Sequence, residues 1–132
     1  MAIDAEQYAT TTDTGTYRAN SDIEQYHALA LTGERTVEPI TDGTSTEFTG
    51  MAVTSADSGE EVGSKSSNQF PVQVSNPDGG TVAAPAHLVP SGTAGVLRPL
   101  NTGGATGESA EDADVMAITD EDADGLVTAL HK

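Results

Sequence analysis

The hydrophobic positions along this chain fall into short runs of strand length, separated by polar turns. Eight runs lie between residues 26 and 130, and no long segment has the spacing of a helix. Asn, Asp, Gly and Pro, which form tight turns, fill the breaks. The pattern predicts a mostly β protein, a small β-barrel or sandwich, with residues 107–114 as a loop or a single turn. The runs are Tyr26 to Leu31, Val37 to Ile40, Phe48 to Val53, Phe70 to Val74, Val82 to Val89, Val96 to Leu100, Val115 to Ile118 and Leu126 to Leu130.

The first 22 residues differ from the rest. They are rich in Thr, Ala and Asp and contain few large apolar side chains. Such a segment cannot bury enough surface to order itself alone, so we predict an extended N-terminal arm or an edge strand that needs a partner surface. The predicted organisation is an arm over residues 1–22 and a small β-barrel domain over residues 23–132. Removing residues 1–20 is expected to leave the barrel folded.

Two parts of the chain resemble each other in sequence. Met-Ala-Val-Thr at residues 51–54 recurs as Met-Ala-Ile-Thr at residues 116–119, an offset of 65. Residues 36–40 match residues 96–100 at an offset of 60, and His27 meets His87 at that same offset. An internal repeat of strand, Pro-containing strand, turn and strand predicts a pseudo-symmetric barrel.

Charge narrows the possible environment and partners. The chain has 21 acidic and 5 basic residues, a formal net charge of −16, which repels phosphate and argues against nucleic-acid binding. Leu, Ile, Val and Phe make up about 17% of the chain, which together with this charge is typical of disorder unless something offsets the repulsion. Concentrated salt shortens the Debye length to about 3 Å at 1 M. The composition therefore indicates a protein of an extreme halophile, a haloarchaeon or its virus.

Several classes of protein are unsupported by the sequence. The absence of cysteine leaves no disulfides, thiolate metal sites or cysteine nucleophile. No apolar run approaches the length of about 20 residues that a membrane helix needs, and the first residues lack the pattern of a signal peptide. We expect no membrane association.

One acidic segment matches half of a known metal-binding motif. Asp120 to Asp124 followed by Gly125 reads D-x-D-x-D-G, the first half of a calcium loop. The twelfth position, which needs a bidentate Glu, is His131, and the flanking runs are predicted strands rather than helices. We interpret the segment as a solvated hairpin turn without a tightly bound cation.

No residues form a convincing catalytic or cofactor site. His27, His87 and His131 are scattered, and their fourth ligand and supporting partners cannot be identified, so half-buried strand positions are the simpler interpretation. There is no G-x-S-x-G elbow and no phosphate-binding glycine loop. We predict a non-enzymatic protein with no catalytic, cofactor-binding or metal-binding residues and no cofactor.

Residues 48–62 resemble a signature of small capsid decoration (cement) proteins of tailed viruses. In those proteins a strand reading Gly, apolar, Ala leads through a turn to Gly-Glu-x-Val, which this chain matches at residues 50–52 and 59–62. The resemblance implies a small β-barrel, usually a homotrimer, on the outer surface of the capsid, where it bridges subunits of the major capsid protein.

The predicted function is therefore a structural protein of the virion, located on the capsid surface of a haloarchaeal tailed virus. Its expected partners are the major capsid protein and further copies of itself, with no nucleic acid and no membrane. The alternative is a haloarchaeal cellular β-domain that binds a protein or a ligand. A capsid protein binds assembled capsids, whereas a cellular module copurifies with a host complex.

Overall fold

Strands make up nearly all of the regular structure. The computed structural model describes residues 14–42 and 48–132, which contain ten strands, one 3-10 turn at Ala110–Asp112 and no α-helix. The predicted mostly β fold is confirmed, and each of the eight predicted runs overlaps one strand. The strands are β1 (Thr14–Ala19), β2 (Ala28–Gly33), β3 (Thr36–Pro39), β4 (Phe48–Ala52), β5 (Glu61–Lys65), β6 (Gln69–Gln73), β7 (Ala86–Pro90), β8 (Leu97–Pro99), β9 (Val115–Ala117) and β10 (Leu126–His131).

The first five strands form a closed barrel, which we call the first unit. Its strand order is β1-β3-β2-β4-β5, and β5 pairs with β1 to complete the circle. All neighbours are antiparallel except β1 and β3, which run parallel over two residue pairs, Arg18 with Thr36 and Ala19 with Val37. This seam of the barrel therefore has few backbone hydrogen bonds.

The last five strands repeat this arrangement and form the second unit. Their order is β6-β10-β9-β7-β8. When β6 to β10 are matched in chain order to β1 to β5, every antiparallel neighbour in one unit has its counterpart in the other. The internal repeat predicted from sequence is therefore a repeat of strand topology.

The register of the strands agrees residue by residue. Tyr17 lies opposite Val62 in the first unit, and Val72 lies opposite Val127 in the second. The offsets are thus 55 for the first strand of each unit and 65 for the last. The offset of 65 also relates β4 to β9, because Met51 faces Lys65 as Met116 faces Leu130. The offset of 60 relates β3 to β8, because Val37 pairs with Ala19 as Leu97 pairs with Val74. Both offsets predicted from the sequence, 60 in β3/β8 and 65 in β4/β9, are therefore confirmed.

The second unit is closed by a single residue pair. Val74 forms an isolated parallel bridge with Leu97, at the position that Ala19 and Val37 occupy in the first unit. The Ser75 amide donates to the Leu97 carbonyl at 2.9 Å, just as the Asn20 amide donates to the Val37 carbonyl at 2.8 Å. The second unit is therefore a curled sheet. The single Val74–Leu97 bridge takes the place of the two-pair ladder between β1 and β3 in the first unit.

The two units pack against each other through one of two buried apolar clusters. A buried cluster inside the first barrel includes Leu29, Val37 and Val62. The larger cluster combines the interior of the second unit with residues on the outer face of β2 and β4, such as Ala28 and Phe48. Because strands alternate their side chains between two faces, β2 and β4 contribute to both clusters. The units are thus packed together through apolar surface rather than linked as separate domains.

The predicted boundary between arm and domain differs from the structure. Residues 14–19 of the predicted arm form β1, which pairs with both β5 and β3 and closes the barrel. A truncation of residues 1–20 would remove this strand, so from the structure we expect the truncated barrel to lose stability, contrary to the expectation from the sequence. The mostly polar sequence of β1 did not predict a strand, because β1 contributes only Ala19 and Tyr17 to the core and is held by pairing with distant strands. Residues 1–13 lie outside the described residues.

We expect Gly50→Ala to lower the free energy of unfolding by about 2 kcal/mol, because an added Cβ would overlap the Ser64 hydroxyl in the small interior of the first barrel. Gly33→Ala is the control, since the nearest atom to its new Cβ would lie 4.0 Å away, on Thr36. Thermal and urea unfolding of both variants would measure the effect. Equal stability of Gly50→Ala and Gly33→Ala would show that the barrel relaxes around the added methyl group.

Candidate functional site

The acidic segment that resembles half a calcium loop forms the turn between β9 and β10. Its carboxylates accept hydrogen bonds from the protein backbone: Asp120 from Ala84, Glu121 from Val82, and Asp122 from Asp124 and Leu126. Strands flank the turn on both sides, as predicted. In the described parts of the chain, no group of three or more His, Cys, Asp or Glu side chains is arranged to hold a metal ion. The carboxylates of Asp120, Glu121 and Asp122 therefore hold the backbone of the turn and of the segment beside it. That the turn binds cations only weakly remains a prediction.

Replacing Asp122 with alanine is expected to lower the free energy of unfolding by about 1 kcal/mol, because two amides lose their acceptor. Asp124→Ala is the matched control, since its carboxylate makes no hydrogen bond with any described residue. Urea unfolding of both variants measures the effect. It is carried out at about 2 M KCl, where the Debye length is roughly 2 Å and charge repulsion is screened.

Calorimetric titration with calcium tests the cation affinity of the same turn. It should find no site of micromolar affinity. A micromolar site that Asp122→Ala removes would contradict the interpretation of the segment as a solvated turn.

The three histidines do not form a common site. The offset between β2 and β7 is 59, because Leu29 faces Pro39 as Leu88 faces Pro99. His87 is therefore equivalent to Ala28, not to His27 as the offset of 60 predicts. Adjacent strand residues face opposite sides of a sheet, so this shift of one residue removes the symmetry between the two histidines.

Each histidine has a different environment. His27 packs against Gly95, and its Nδ1 accepts the Glu24 amide at 3.2 Å. Burial lowers the pKa of His27, against a smaller opposing effect of Glu24, so the neutral ring is favoured. The Nδ1 of His87 lies 3.0 Å from Lys132 Nζ, and the ring of His131 packs edge-on against Phe48. Each histidine is thus held by contacts within the chain, at a different place in the fold.

An ion pair between a buried arginine and a half-buried glutamate anchors the loop between β8 and β9. Arg98 is 8% exposed, and its guanidinium donates two hydrogen bonds, of 2.8 and 2.7 Å, to the two carboxylate oxygens of Glu108. Glu108 also accepts the Asn101 amide at 2.7 Å. The hydrogen bonds from Arg98 hold the pKa of Glu108 below its ordinary value. Arg98 is the one cation among the described residues that line the cleft of about 550 Å³ beside it, and its charge is already paired with Glu108.

A second cleft, of about 340 Å³, lies where β1, the β2–β3 turn and the start of β5 meet. Arg35 donates a hydrogen bond of 2.8 Å to the Thr16 carbonyl, and its guanidinium lies 6.0 Å from the centre of the Tyr17 ring. Arg18 lines the same cleft and is exposed. No carboxylate within the described ranges lies at ion-pair distance from either arginine. We call this surface the arginine cleft.

The sequence contained a signal for the arginine cleft that pattern analysis did not use. Arg18 and Arg35 are two of only five basic residues in the chain. They are 17 positions apart in sequence, and only the parallel pairing of β1 with β3 brings them together. Basic residues in a strongly acidic chain are informative because so few positions carry them, but their pairing depends on the tertiary fold.

Two further findings concern membrane-spanning helices and sequence relatives of this chain. Among the residues with described structure, no helix is long and apolar enough to cross a membrane. No protein-family model matches the sequence, and a search of curated proteins returns no significant match.

The fold itself defines a class: a β protein built from two copies of one five-stranded unit, with one copy closed by a short parallel ladder and the other by a single bridge. A solved structure shares this fold. The chain is similar to the crystal structure of the head fiber gp8.5 N base in bacteriophage phi29, with a TM-score of 0.63 and 20% sequence identity. The match covers 90% of this chain and 92% of the other chain.

Proposed function

We propose that this protein is a non-enzymatic structural component of the virion of a tailed virus. The observation that carries the proposal is the fold similarity to a phage head fiber base, which extends over nine-tenths of both chains. The resemblance of residues 50–62 to capsid decoration proteins supports the same role independently, because it rests on sequence rather than on topology. In the structure this segment forms β4, the following turn and the start of β5.

In finer detail, we propose that the protein decorates the capsid exterior of a haloarchaeal virus, bridges major capsid protein subunits and forms a homotrimer. The charge of −16 supports a high-salt environment. The described surface has one exposed large apolar side chain, Leu31. Contacts with the capsid would therefore depend on polar groups and backbone hydrogen bonds more than on an apolar patch.

Purified virions and capsids test the role directly. Quantitative mass spectrometry of virions should detect the chain at a fixed, high copy number relative to the major capsid protein. Capsids that lack the chain should bind the purified protein at about 2 M KCl, where the Debye length is roughly 2 Å, and sedimentation should report a trimer. Absence from virions together with no binding to capsids would overturn the role. Copurification with a host complex instead would favour the cellular binding module.

The salt dependence of stability tests the halophilic environment. We expect the melting temperature to fall as KCl is lowered from about 2 M to about 0.1 M, because the Debye length grows to about 10 Å and repulsion among the carboxylates increases. Differential scanning calorimetry across this range measures the effect, and a neutral osmolyte at matched water activity is the control. A melting temperature independent of salt would contradict the halophilic assignment.

A further inference from the structure

Within the described parts of the chain, the side of β1 that faces β3 is only partly paired. The Arg18 amide donates to the Arg35 carbonyl at 2.7 Å, whereas the Ala19 amide donates to Glu60 on the opposite side, at 2.8 Å. Backbone groups alternate in direction along a strand, so Thr14 and Thr16 point to the same side as Arg18. The ladder with β3 begins only at Arg18. The Thr16 carbonyl on this side already accepts a hydrogen bond from the Arg35 guanidinium at 2.8 Å, whereas the Thr16 amide has no partner among the described residues. We call the β3-facing backbone of Thr14 together with the Thr16 amide the open edge.

The second unit protects its equivalent edge. Pro71 lies opposite Thr128 as Thr16 lies opposite Gly63, so Pro71 occupies the position of Thr16 and has no amide hydrogen. Gln73, the equivalent of Arg18, donates its amide to the Tyr26 carbonyl of the first unit at 3.0 Å. Proline and coverage by neighbouring chain are common ways of blocking a strand edge against further pairing. The first unit has Thr16 where the second has this proline.

The cleft beside the open edge holds two arginines and two glutamates that do not pair with each other. Arg18 and Arg35 line the arginine cleft, and no carboxylate of the described chain pairs with them although the protein has 21 acidic residues. Glu34 and Glu61 lie at the same cleft but beyond ion-pair distance from the guanidinium groups. Unpaired guanidinium groups favour a carboxylate ligand, which they bind through charge-assisted hydrogen bonds.

We propose that the open edge and the arginine cleft bind an extended acidic segment of a capsid subunit by strand addition. The main chain of the segment pairs with Thr14 and with the Thr16 amide. One of its carboxylates binds Arg18 and the guanidinium hydrogens of Arg35 that are not donated to the Thr16 carbonyl. The backbone hydrogen bonds supply affinity and the arginines select for acidic side chains. This inference rests on the proposed function, which supplies the capsid as the partner.

The backbone part is tested by Thr16→Pro, with Thr16→Val as the matched control. Proline removes the outward amide hydrogen without disturbing the pairing of β1 with β5, and Pro71 shows that the register position accepts proline. We expect Thr16→Pro to weaken binding to capsids about tenfold and Thr16→Val to bind like the wild type. Circular dichroism of each variant checks that the barrel is folded. An equal loss in Thr16→Val would overturn strand addition, because both variants lack the hydroxyl.

The charge part is tested by Arg18→Gln combined with Arg35→Gln, with Glu34→Gln as the control in the same cleft. The double variant should lose at least tenfold in capsid affinity, while Glu34→Gln should bind as tightly as the wild type or more tightly. Both arginines are exposed, so folding should not depend on their charge. Affinity that is unchanged in the double variant would overturn the selection for an acidic segment.

Amide hydrogen exchange of the wild-type protein gives a readout without any substitution. Binding to capsids should slow exchange at Thr16, while exchange at Gly59, whose amide already donates to the Ala19 carbonyl at 2.8 Å, changes little. If the wild type does not bind capsids at all, the proposed function fails and this inference fails with it. If the wild type binds but Thr16→Pro and the double arginine variant bind equally well, the inference alone is wrong.

Discussion

Replacing Phe48 with alanine should lower the free energy of unfolding by about 3 to 4 kcal/mol. Phe48 belongs to the first unit, and its ring stacks on Phe70 of the second unit with 5.6 Å between ring centres. It also contacts the ring of His131 at 5.1 Å, and its side chain is buried in the core that both units share. The substitution therefore opens a cavity between the units rather than inside one of them. Urea unfolding followed by circular dichroism measures the change.

The matched control is Leu31→Ala. Leu31 is also a large apolar residue of the first unit, but it is 46% exposed, so its removal should cost less than about 1 kcal/mol. A double variant of Phe48 and Phe70 should cost about 1 kcal/mol less than the sum of the single variants, because the rings contact each other. A calorimetric scan with two separate transitions would contradict the shared core, since it would mean that the units unfold independently.

Arg98→Met should destabilise the protein by about 2 to 3 kcal/mol at neutral pH. The substitution leaves the Glu108 carboxylate, whose side chain is 21% exposed, without its guanidinium partner. It also removes the donor to the Thr102 carbonyl, so the loop between β8 and β9 loses two anchors. Arg98→Lys retains the charge but not the two-pronged geometry and should lie between the wild type and Arg98→Met. Urea unfolding of the three proteins gives the order directly.

The stability contributed by this ion pair should disappear in acid. The pKa of Glu108 is lowered in the folded protein, so its contribution is fully present above the ordinary glutamate pKa of about 4.3. It is lost as the pH falls through the lower pKa of the folded state, because both states are then protonated. The difference in unfolding free energy between wild type and Arg98→Met should therefore shrink from pH 7 towards pH 3. A constant difference across this range would contradict an ionic contribution.

Much of the fold could be predicted from the sequence because side-chain alternation and turn residues are local properties. Each of the eight predicted runs overlaps a strand, and the repeat offsets of 65 and 60 correspond to register relationships in β4/β9 and β3/β8. The match of His27 with His87 was wrong because it used the offset of 60, whereas β2 and β7 are related by an offset of 59. A shift of one residue is small in sequence but reverses the face of a strand.

The strand β1 shows where local pattern analysis fails. In its sequence, TGTYRA, only Tyr17 and Ala19 are apolar residues at alternating positions, too few to predict a strand. It is a strand because β5 and β3 supply hydrogen-bond partners from 18 to 51 residues further along the chain. The arginine cleft has the same origin. Arg18 and Arg35 become neighbours only when the parallel seam forms, so their shared chemistry is a consequence of that long-range contact.

The sequence by itself determined the β class, the positions of most strands, the internal repeat and the strongly acidic surface. These follow from side-chain polarity and turn chemistry, which act over a few residues, and from a duplicated pattern that can be compared along the chain. The tertiary structure alone decided that β1 closes the first barrel, that Phe48 joins the two units, that Arg98 is buried against Glu108 and that Thr16 lies at an open edge where the second unit has Pro71. Each of these depends on which distant segments pair, and pairing is a property of the whole packed chain rather than of any local stretch.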